Sequence, residues 1–333
     1  MRTSVTFKDN HPLVSVIIPT YNHGKYIESA IKSVIAQEYA NKEIIVVDDG
    51  SVDNTCDVVA KYHDIVKYHY QDNMGESAAR NHGLSIANGE YFAFLDADDM
   101  WLPNKLTKQL EVFRKKDSIG MVGCGGYDID ESGIIISPAW IRENYSSRDN
   151  MLEALSIHQI IPGSSSGVLI KANCFKKVGY FNVELKYGPD WDMWLRIAAH
   201  YDIYFVSEPL VLIRKGSSVV SKGNMTCIGQ LSNIVNKEEK HVKTVIDQNI
   251  KGKTKRRAYA NLYFRTGSYY LTYGYRGRAL IKLLKSIAHW PLRIYPKDER
   301  NIYRYPKDSR YYLLIKALIP NIIITYIKNI CRK

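Results

Sequence analysis

The first part of the chain alternates short apolar runs with stretches of helical spacing. Val14–Ile18 is a nearly continuous apolar run, closed by Pro19-Thr20-Tyr21-Asn22. Ile27, Ala30, Ile31, Val34 and Ile35 then fall on one face of a helix. Glu43–Val47 is a second run, ending on Asp48-Asp49-Gly50-Ser51. Val58 and Val59 mark a second helix and Val66–Tyr70 a third strand. Gly75 opens a helix carrying Ala78, Ala79, Leu84 and Ala87, which leads into Tyr91–Leu95. That run stops on three carboxylates, Asp96, Asp98 and Asp99. Runs this short and this apolar suit strands buried on both faces of a parallel sheet. Strand and helix alternate four times with short links. The predicted fold is therefore α/β, a mostly parallel, Rossmann-like sheet flanked by helices and built with right-handed crossovers.

The pattern beyond Pro103 is less regular. It predicts a helix to about Lys116, then strands within residues 120–137 around a turn at Asp130-Glu131-Ser132-Gly133. Gly167–Ile170 is a short strand, Gly188-Pro189-Asp190 a turn leading into a helix through Ile197, and Ile203–Val206 and Pro209–Ile213 two more strands. From about Ser217 helices and tyrosines replace strands, which divides the chain into a compact domain, 1–216, and a mainly helical module, 217–333. In the latter, Ala279, Leu280, Leu283, Leu284 and Ile287 predict a helix packed on a neighbour.

Two of the four leading strands end in paired Asp. Open α/β sheets bind ligands at the carboxyl edge of their strands. Carboxylates crowded there repel unless a cation neutralises them, and oxygen ligands suit a hard divalent ion, Mg2+ or Mn2+. The competing reading is a solvated turn whose carboxylates cap the helix after Pro103, the role expected of Asp99. An isolated Asp-x-Asp favours the cap; its recurrence on two strand ends favours a pocket.

Composition changes this picture only through the placement of charge. The 333 residues are 45% hydrophobic and 24% charged, ordinary for a globular chain with a sizeable core. The net charge is +12, yet Lys251–Lys333 holds 20 Lys and Arg against three Asp and Glu, so the preceding residues are net acidic. The basic tail predicts an anionic partner of its own. Tyr311–Ile330 is rich in Leu and Ile but interrupted by Lys316, Pro320 and Lys328, which disfavours a spanning helix. Ile315, Leu318, Ile319, Ile322, Ile323, Tyr326, Ile327 and Ile330 share a face, as in an amphipathic helix lying on an anionic membrane surface; packing on the first domain is the alternative. No nucleic-acid-binding module accompanies the charge, so nucleic acid is not an expected partner. Five dispersed cysteines, Cys56, Cys124, Cys174, Cys227 and Cys331, form neither a disulfide framework nor a zinc motif and fit a reducing compartment. The N-terminus predicts no secretory leader, and the expected location is cytoplasmic, peripheral at the inner face of the plasma membrane.

Five stretches occur in a telling order: Val-Ile-Ile-Pro-Thr-Tyr-Asn (16–22), Ile-Val-Val-Asp-Asp-Gly-Ser (45–51), Asn-Met-Gly-Glu-Ser-Ala-Ala-Arg-Asn (73–81), Phe-Leu-Asp-Ala-Asp-Asp (94–99) and Asp-Trp-Asp-Met-Trp-Leu-Arg (190–196). Through them residues 12–215 resemble family 2 glycosyltransferases of the GT-A fold, which are inverting enzymes that use nucleotide-sugar donors. The resemblance implies that Pro19, Thr20 and Tyr21 lie against the nucleoside, Tyr21 offering a ring to stack on. It implies that Asp49 accepts a hydrogen bond from the base and that Arg80 reaches the diphosphate. Asp98 would ligate the metal, Asp96 would help position ribose or metal, and Ala97 would lie between them against the donor. Asp190 would be the general base, with Asp192 the next candidate. Two departures stand out. Pro189 occupies a position usually acidic in the family, and Ile213-Arg214-Lys215-Gly216 replaces a Tyr-Arg-x-His motif near the donor phosphates, so that Arg214 fits, the histidine is missing, and Lys215 is left to replace its charge. His200 is expected at a helix end without a catalytic part.

The resulting expectation is a metal-dependent transfer of a sugar from a UDP-sugar to a glycan or lipid-linked oligosaccharide, in bacterial surface polysaccharide synthesis. Its rivals are a scaffold that binds nucleotide-sugar without turnover and a sugar-phosphate nucleotidyltransferase. The latter wants a Gly-rich basic loop after the first strand, which Pro19-Thr20-Tyr21-Asn22 is not. A dehydrogenase is disfavoured, because no Gly-x-Gly-x-x-Gly follows the first strand.

Overall fold

A computed structural model describes residues 11–157, 160–185, 188–216, 239–240, 242–244, 246–248, 250–272 and 274–289. By compactness the chain divides into two units, Met1–Met151 with Ile161–Gly223, and Leu152–Ile160 with Asn224–Lys333.

The first unit is built on strands β1 Val14–Thr20, β2 Lys42–Asp48, β3 Val66–Tyr70, β4 Tyr91–Phe94, β5 Met100–Trp101, β6 Ile119–Ile129, β7 Leu169–Lys171 and β8 Asp202–Arg214. They form one sheet in the order β3-β2-β1-β4-β7-β6-β8-β5. The leading half, β3-β2-β1-β4, is parallel as predicted. β6 and β8 are also parallel, while β7 runs antiparallel to both β4 and β6, and β5 antiparallel to β8. The sheet is therefore mixed. Because β2 and β4 flank β1 on opposite sides, the strand order reverses at β1, which opens a crevice beyond the strands' carboxyl ends.

Helices α1 Ile27–Ile35, α2 Thr55–Ala60, α3 Glu76–Ile86, α4 Lys105–Phe113, α6 Ala172–Val178 and α7 Pro189–His200 flank this sheet, and α5 Arg148–Ile157 precedes β7 in the chain. The apolar face read from the sequence of α1 is the buried one: Ile27, Ala30, Ile31 and Val34 are fully buried. With Val14, Val16, Ile18, Ile44 and Val46 they build the core on one side of the sheet. On the other side α3 lies close against β1. A Cβ added to Gly83 would stand 2.4 Å from Ile17 Cγ2, so only a residue without a side chain lets the helix approach this far.

Several elements differ from expectation for identifiable reasons. β1 runs two residues past the predicted end, to Thr20, and so contains Pro19 in a central strand. This is tolerated because β4 pairs with β1 only up to Ile17–Phe94, so no neighbour on that side asks Pro19 for an N–H. The two predicted strands at 203–213 are one, β8. Cys124 pairs with Val206 and Gly125 with Pro209, so Ser207 and Glu208 bulge out and the ladder resumes beyond the proline. Beyond the turn at Asp130–Gly133 the expected second strand is reduced to isolated bridges, Ile129–Ile135 and Gly126–Trp140.

In the second unit, α8 Gly252–Thr272 and α9 Arg276–His289 pack on each other, as the spacing of Ala279 and Leu283 predicts. Leu283 lies against Gly267, and Ser286 Oγ donates to the carbonyl of Ala260 at 2.6 Å. Buried Glu239 joins the unit by ion pairs to Lys243 at 2.7 Å and Lys282 at 2.5 Å. No strand is found in this unit among the described residues. The amphipathic stretch predicted at 311–330 lies outside them. Among the described residues no helix is long and apolar enough to cross a membrane.

Candidate active site

The parallel registers Thr20–Asp48, Asp48–Tyr70 and Ile17–Phe94 bring the ends of β1, β2, β3 and β4 to one edge of the sheet. Tyr21, Asp49, Gln71 and Asp96 each follow one of those ends. Pro19 and Thr20 are buried in β1, whereas Tyr21 is 37% exposed and offers its ring at the edge. Thr20 Oγ1 is buried without a hydrogen-bond partner.

Asp49 is buried, and its carboxylate is engaged by the chain itself. Oδ1 accepts from Gln71 Nε2 at 2.7 Å and from the Met74 N–H at 2.9 Å, and Oδ2 accepts from the Gly75 N–H at 2.7 Å. These bonds fix the residues just before α3, the helix that carries Arg80 in its second turn.

Arg80 is fully buried. Its Nη2 donates to Asp96 Oδ1 at 2.9 Å as well as to Glu76 Oε1. Its guanidinium lies 5.5 Å from the ring centre of Phe181, which packs on Phe94 and Trp194. Burial alone would discourage the charge on Arg80. The opposite charges of Glu76, Asp96 and Asp190 reverse this and hold its pKa above the ordinary value. Arg80, Asp96 and Asp190 thus belong to one electrostatic neighbourhood, although they come from α3, the turn after β4, and α7.

In the turn after β4, burial pushes the Asp96 carboxyl up to about 7; Glu76 and Asp98 push the same way and Arg80 opposes them. Ala97 is buried, and Asp98 is half-buried. Asp99 does not cap α4, whose N-cap is Asn104 and which has no side-chain cap bond. It is buried and accepts from Ser166 Oγ at 2.6 Å and from the Arg214 N–H at 2.9 Å, a pin between the turn, the segment before β7 and the end of β8. Burial and its two Asp neighbours raise its pKa well above the carboxylate range.

Asp190 stands in the first turn of α7, where Gly188 is the N-cap, and accepts a hydrogen bond from Ser164 Oγ. Asp192, the second candidate base, is buried, and its Oδ2 accepts from Arg196 Nε at 3.0 Å and Nη2 at 2.8 Å. That bidentate clip makes it part of the helix's own structure. His200 ends α7 and is exposed.

Arg214 is engaged by the chain itself. Its guanidinium donates to the carbonyls of Asp98 at 2.9 Å, Asp130 at 2.7 Å and Glu131 at 2.8 Å, and stacks 4.7 Å from the Tyr26 ring centre. Lys215 pairs with Asp128 at 3.3 Å. Both residues close the back of the Asp-rich turn.

The periodicity of the sequence did not point to Gly163-Ser164-Ser165-Ser166-Gly167. Ser166 Oγ accepts the Asp96 N–H at 3.1 Å and donates to Asp99, so this segment supports the turn directly. Small polar residues between two glycines announce a turn, but not what it touches.

Among the described residues no group of three or more His, Cys, Asp or Glu is placed to hold a metal by itself. The donor set nevertheless suits a shared site. Mg2+ and similar ions are commonly held by one or two carboxylates, with substrate phosphates and water completing the shell. Asp98 and Asp96 offer that number, side by side in one turn after β4.

Comparison with known proteins places the chain in a family. The model of the family described as Glycosyl transferase family 2 matches residues 15–171. Glycosyltransferase GlyG of Streptococcus pneumoniae is 30% identical over 230 residues, covering 63% of this chain and 73% of that protein. The chain belongs to glycosyl transferase family 2. An uncharacterized glycosyltransferase of Rickettsia typhi is 37% identical to this family 2 chain over 205 residues, 61% of this chain; the match spans 64% of the relative's length. The crystal structure of S. aureus TarS residues 1-349 in complex with UDP-GlcNAc superposes with a TM-score of 0.64 at 21% identity, covering 84% of this chain and 82% of that one. The shared fold is of the GT-A type.

Proposed function

We propose that this family 2 chain is an inverting glycosyltransferase that moves a sugar from a UDP-sugar to a glycan or lipid-linked acceptor by single displacement. The observation that carries this reading is the convergence of Arg80, Asp96 and Asp190 from three separate elements at the carboxyl edge of the sheet. The UDP-GlcNAc complex of the structurally similar TarS supports a uridine nucleotide as donor.

In this reading Tyr21 stacks on the base and the Pro19–Thr20 backbone lines the nucleoside. Asp49 serves the base through the loop that it holds and through the lone pair its own chain leaves available. Arg80 meets the diphosphate, where a planar guanidinium suits phosphate oxygens. Asp98, with Asp96 beside it, would hold a divalent ion, which would supply positive charge to the leaving diphosphate. Asp190 accepts the proton of the acceptor hydroxyl as its oxygen bonds the anomeric carbon. The bond from that carbon to the diphosphate oxygen breaks on the opposite face, and its electron pair leaves with UDP. A positioned carboxylate contributes about 10²–10⁴-fold to such a step.

The test is hydrolysis of UDP-, GDP- and dTDP-sugars with added Mn2+ or Mg2+. UDP-sugars are expected to react, and Asp190→Ala to lose about two to four orders of magnitude while its melting temperature stays within a degree or two. A folded Asp190→Ala protein with full turnover removes the base assignment. The acidic main unit and the basic tail suit attachment to the inner face of the plasma membrane during surface polysaccharide synthesis. Co-sedimentation with anionic liposomes checks this, and a chain ending at Tyr311 is expected to partition less.

A further inference from the structure

Ser164 lies outside every motif that led to the family, yet its hydroxyl donates to Asp190 Oδ2. Its φ of 46° is in the left-handed region, directly after Gly163 at 66°. For a residue with a Cβ that conformation is unfavourable and persists only where the surroundings impose it. The surroundings here are specific. Ser166 Oγ accepts the Asp96 N–H and donates to Asp99, and its carbonyl accepts from Trp101 Nε1 at 2.8 Å. The Gly167 carbonyl accepts from buried Gln109 at 2.9 Å, and the Gly167 N–H donates back to the Gly163 carbonyl at 3.3 Å. One end of this short segment is therefore fastened to the Asp-rich turn. The other reaches across to a carboxylate on α7.

We propose that Ser164 is a positioning residue for Asp190, tying the acceptor side of the site to the donor side through Ser166. The inference rests on the reading of Asp190 as general base. A hydroxyl has one hydrogen to donate, so the bond orients the carboxylate plane without neutralising it. The left-handed turn aims that hydrogen; a relaxed backbone would point it elsewhere.

The experiment uses the full chain with UDP-GlcNAc and Mn2+, measuring hydrolysis in wild type, Ser164→Gly, Ser164→Asn and Asp190→Ala. Glycine keeps the left-handed backbone without strain and deletes the hydroxyl. Its kcat is expected to fall about 10- to 100-fold, the scale of a small misplacement of a reacting group. KM for UDP-GlcNAc should stay within about twofold and the melting temperature should stay equal or rise. Asn tolerates the left-handed region and can donate, so Ser164→Asn should recover part of the loss. Adding Ser164→Gly to Asp190→Ala should cost nothing further. A Ser164→Gly protein with full kcat, or one whose losses track a lower melting temperature or a higher KM, overturns the proposal. If Asp190→Ala is inactive while Ser164→Gly is fully active, the positioning role alone fails. If Asp190→Ala is itself fully active, the reading beneath it fails as well.

Discussion

At the end of β2 the carboxylates of Asp48 and Asp49 accept from the Ser51 N–H, the Tyr68 hydroxyl, the Gln71 amide and the Met74 and Gly75 N–H groups. At the end of β4, on the same edge of the sheet, Asp96 meets one guanidinium and Asp98 stands half-buried beside it. Both places put paired Asp where an open sheet binds ligands. They differ in the supply of local donors. The β2 turn is folded over by the loop from β3 to α3, which brings three N–H donors to Asp49. The β4 turn receives Arg80 and Ser166, and burial, opposed by Arg80, keeps the Asp96 pKa above the ordinary carboxylate range. Asp49 is held mainly by its own chain, whereas Asp96 and Asp98 are the carboxylates proposed above to face a cation and the donor diphosphate.

Arg80→Ala should have the largest effect. It leaves buried carboxylate charge without its counter-ion and is expected to destabilise the fold by about 3 kcal/mol, as removal of one buried partner commonly does. Donor turnover should fall on the order of 10²-fold even below the new melting temperature. Chemical denaturation and donor hydrolysis read the two losses separately.

Asp49→Ala removes the acceptor for two backbone N–H groups and an amide, at about 2–3 kcal/mol. Asp98→Asn, its counterpart on β4, should leave the melting temperature unchanged. Equal destabilisation by the two would break the comparison.

Glu43 sharpens it further. Burial would raise its pKa, but bonds from Lys67, Ser15 and Asn88 bring it down to about 2. The folded pKa lies below that of the unfolded chain. The stability it contributes is therefore present above about pH 4.5 and lost as pH falls toward 2. Glu43→Gln should cost about 2 kcal/mol at neutral pH, with the difference from wild type closing in acid.

Asp96 carries the opposite sign. Its folded pKa, pushed up to about 7, lies above the unfolded value, so the divalent-free protein loses stability as pH rises from about 4 to 7. Asp96→Asn should flatten that slope, a gain of on the order of 1 kcal/mol at pH 7.5, read from melting curves in chelator. Added Mn2+ should flatten it in wild type as well.

Much of this site was legible before the coordinates. Continuous apolar runs closing on polar turns marked β1, β2 and β4, which are largely buried on both faces, whereas β3 is a half-exposed strand at the sheet's edge. Ordered motifs then named Tyr21, Asp49, Arg80, Asp98 and Asp190. What stayed hidden depended on contacts distant in the chain. Nothing at position 99 announces a partner at 166 or 214, so Asp99 read as a helix cap. Arg214 looked free for phosphate until the carbonyls of Asp130 and Glu131 came back to it. The short strand read at Gly167–Ile170 is β7, Leu169–Lys171, but so few residues carry no sign of its antiparallel direction, and Ser164 meets a carboxylate on a helix far along the chain.

We propose that the turn after β4 holds a cation that the donor diphosphate shares. Calorimetric titration of UDP into wild type and Asp98→Asn, each with Mn2+ and with chelator, tests it directly. Wild type should bind UDP with Mn2+ at least about tenfold more tightly than without, and Asp98→Asn should lose that difference while melting at the same temperature. Equal affinity in all four titrations would contradict the account.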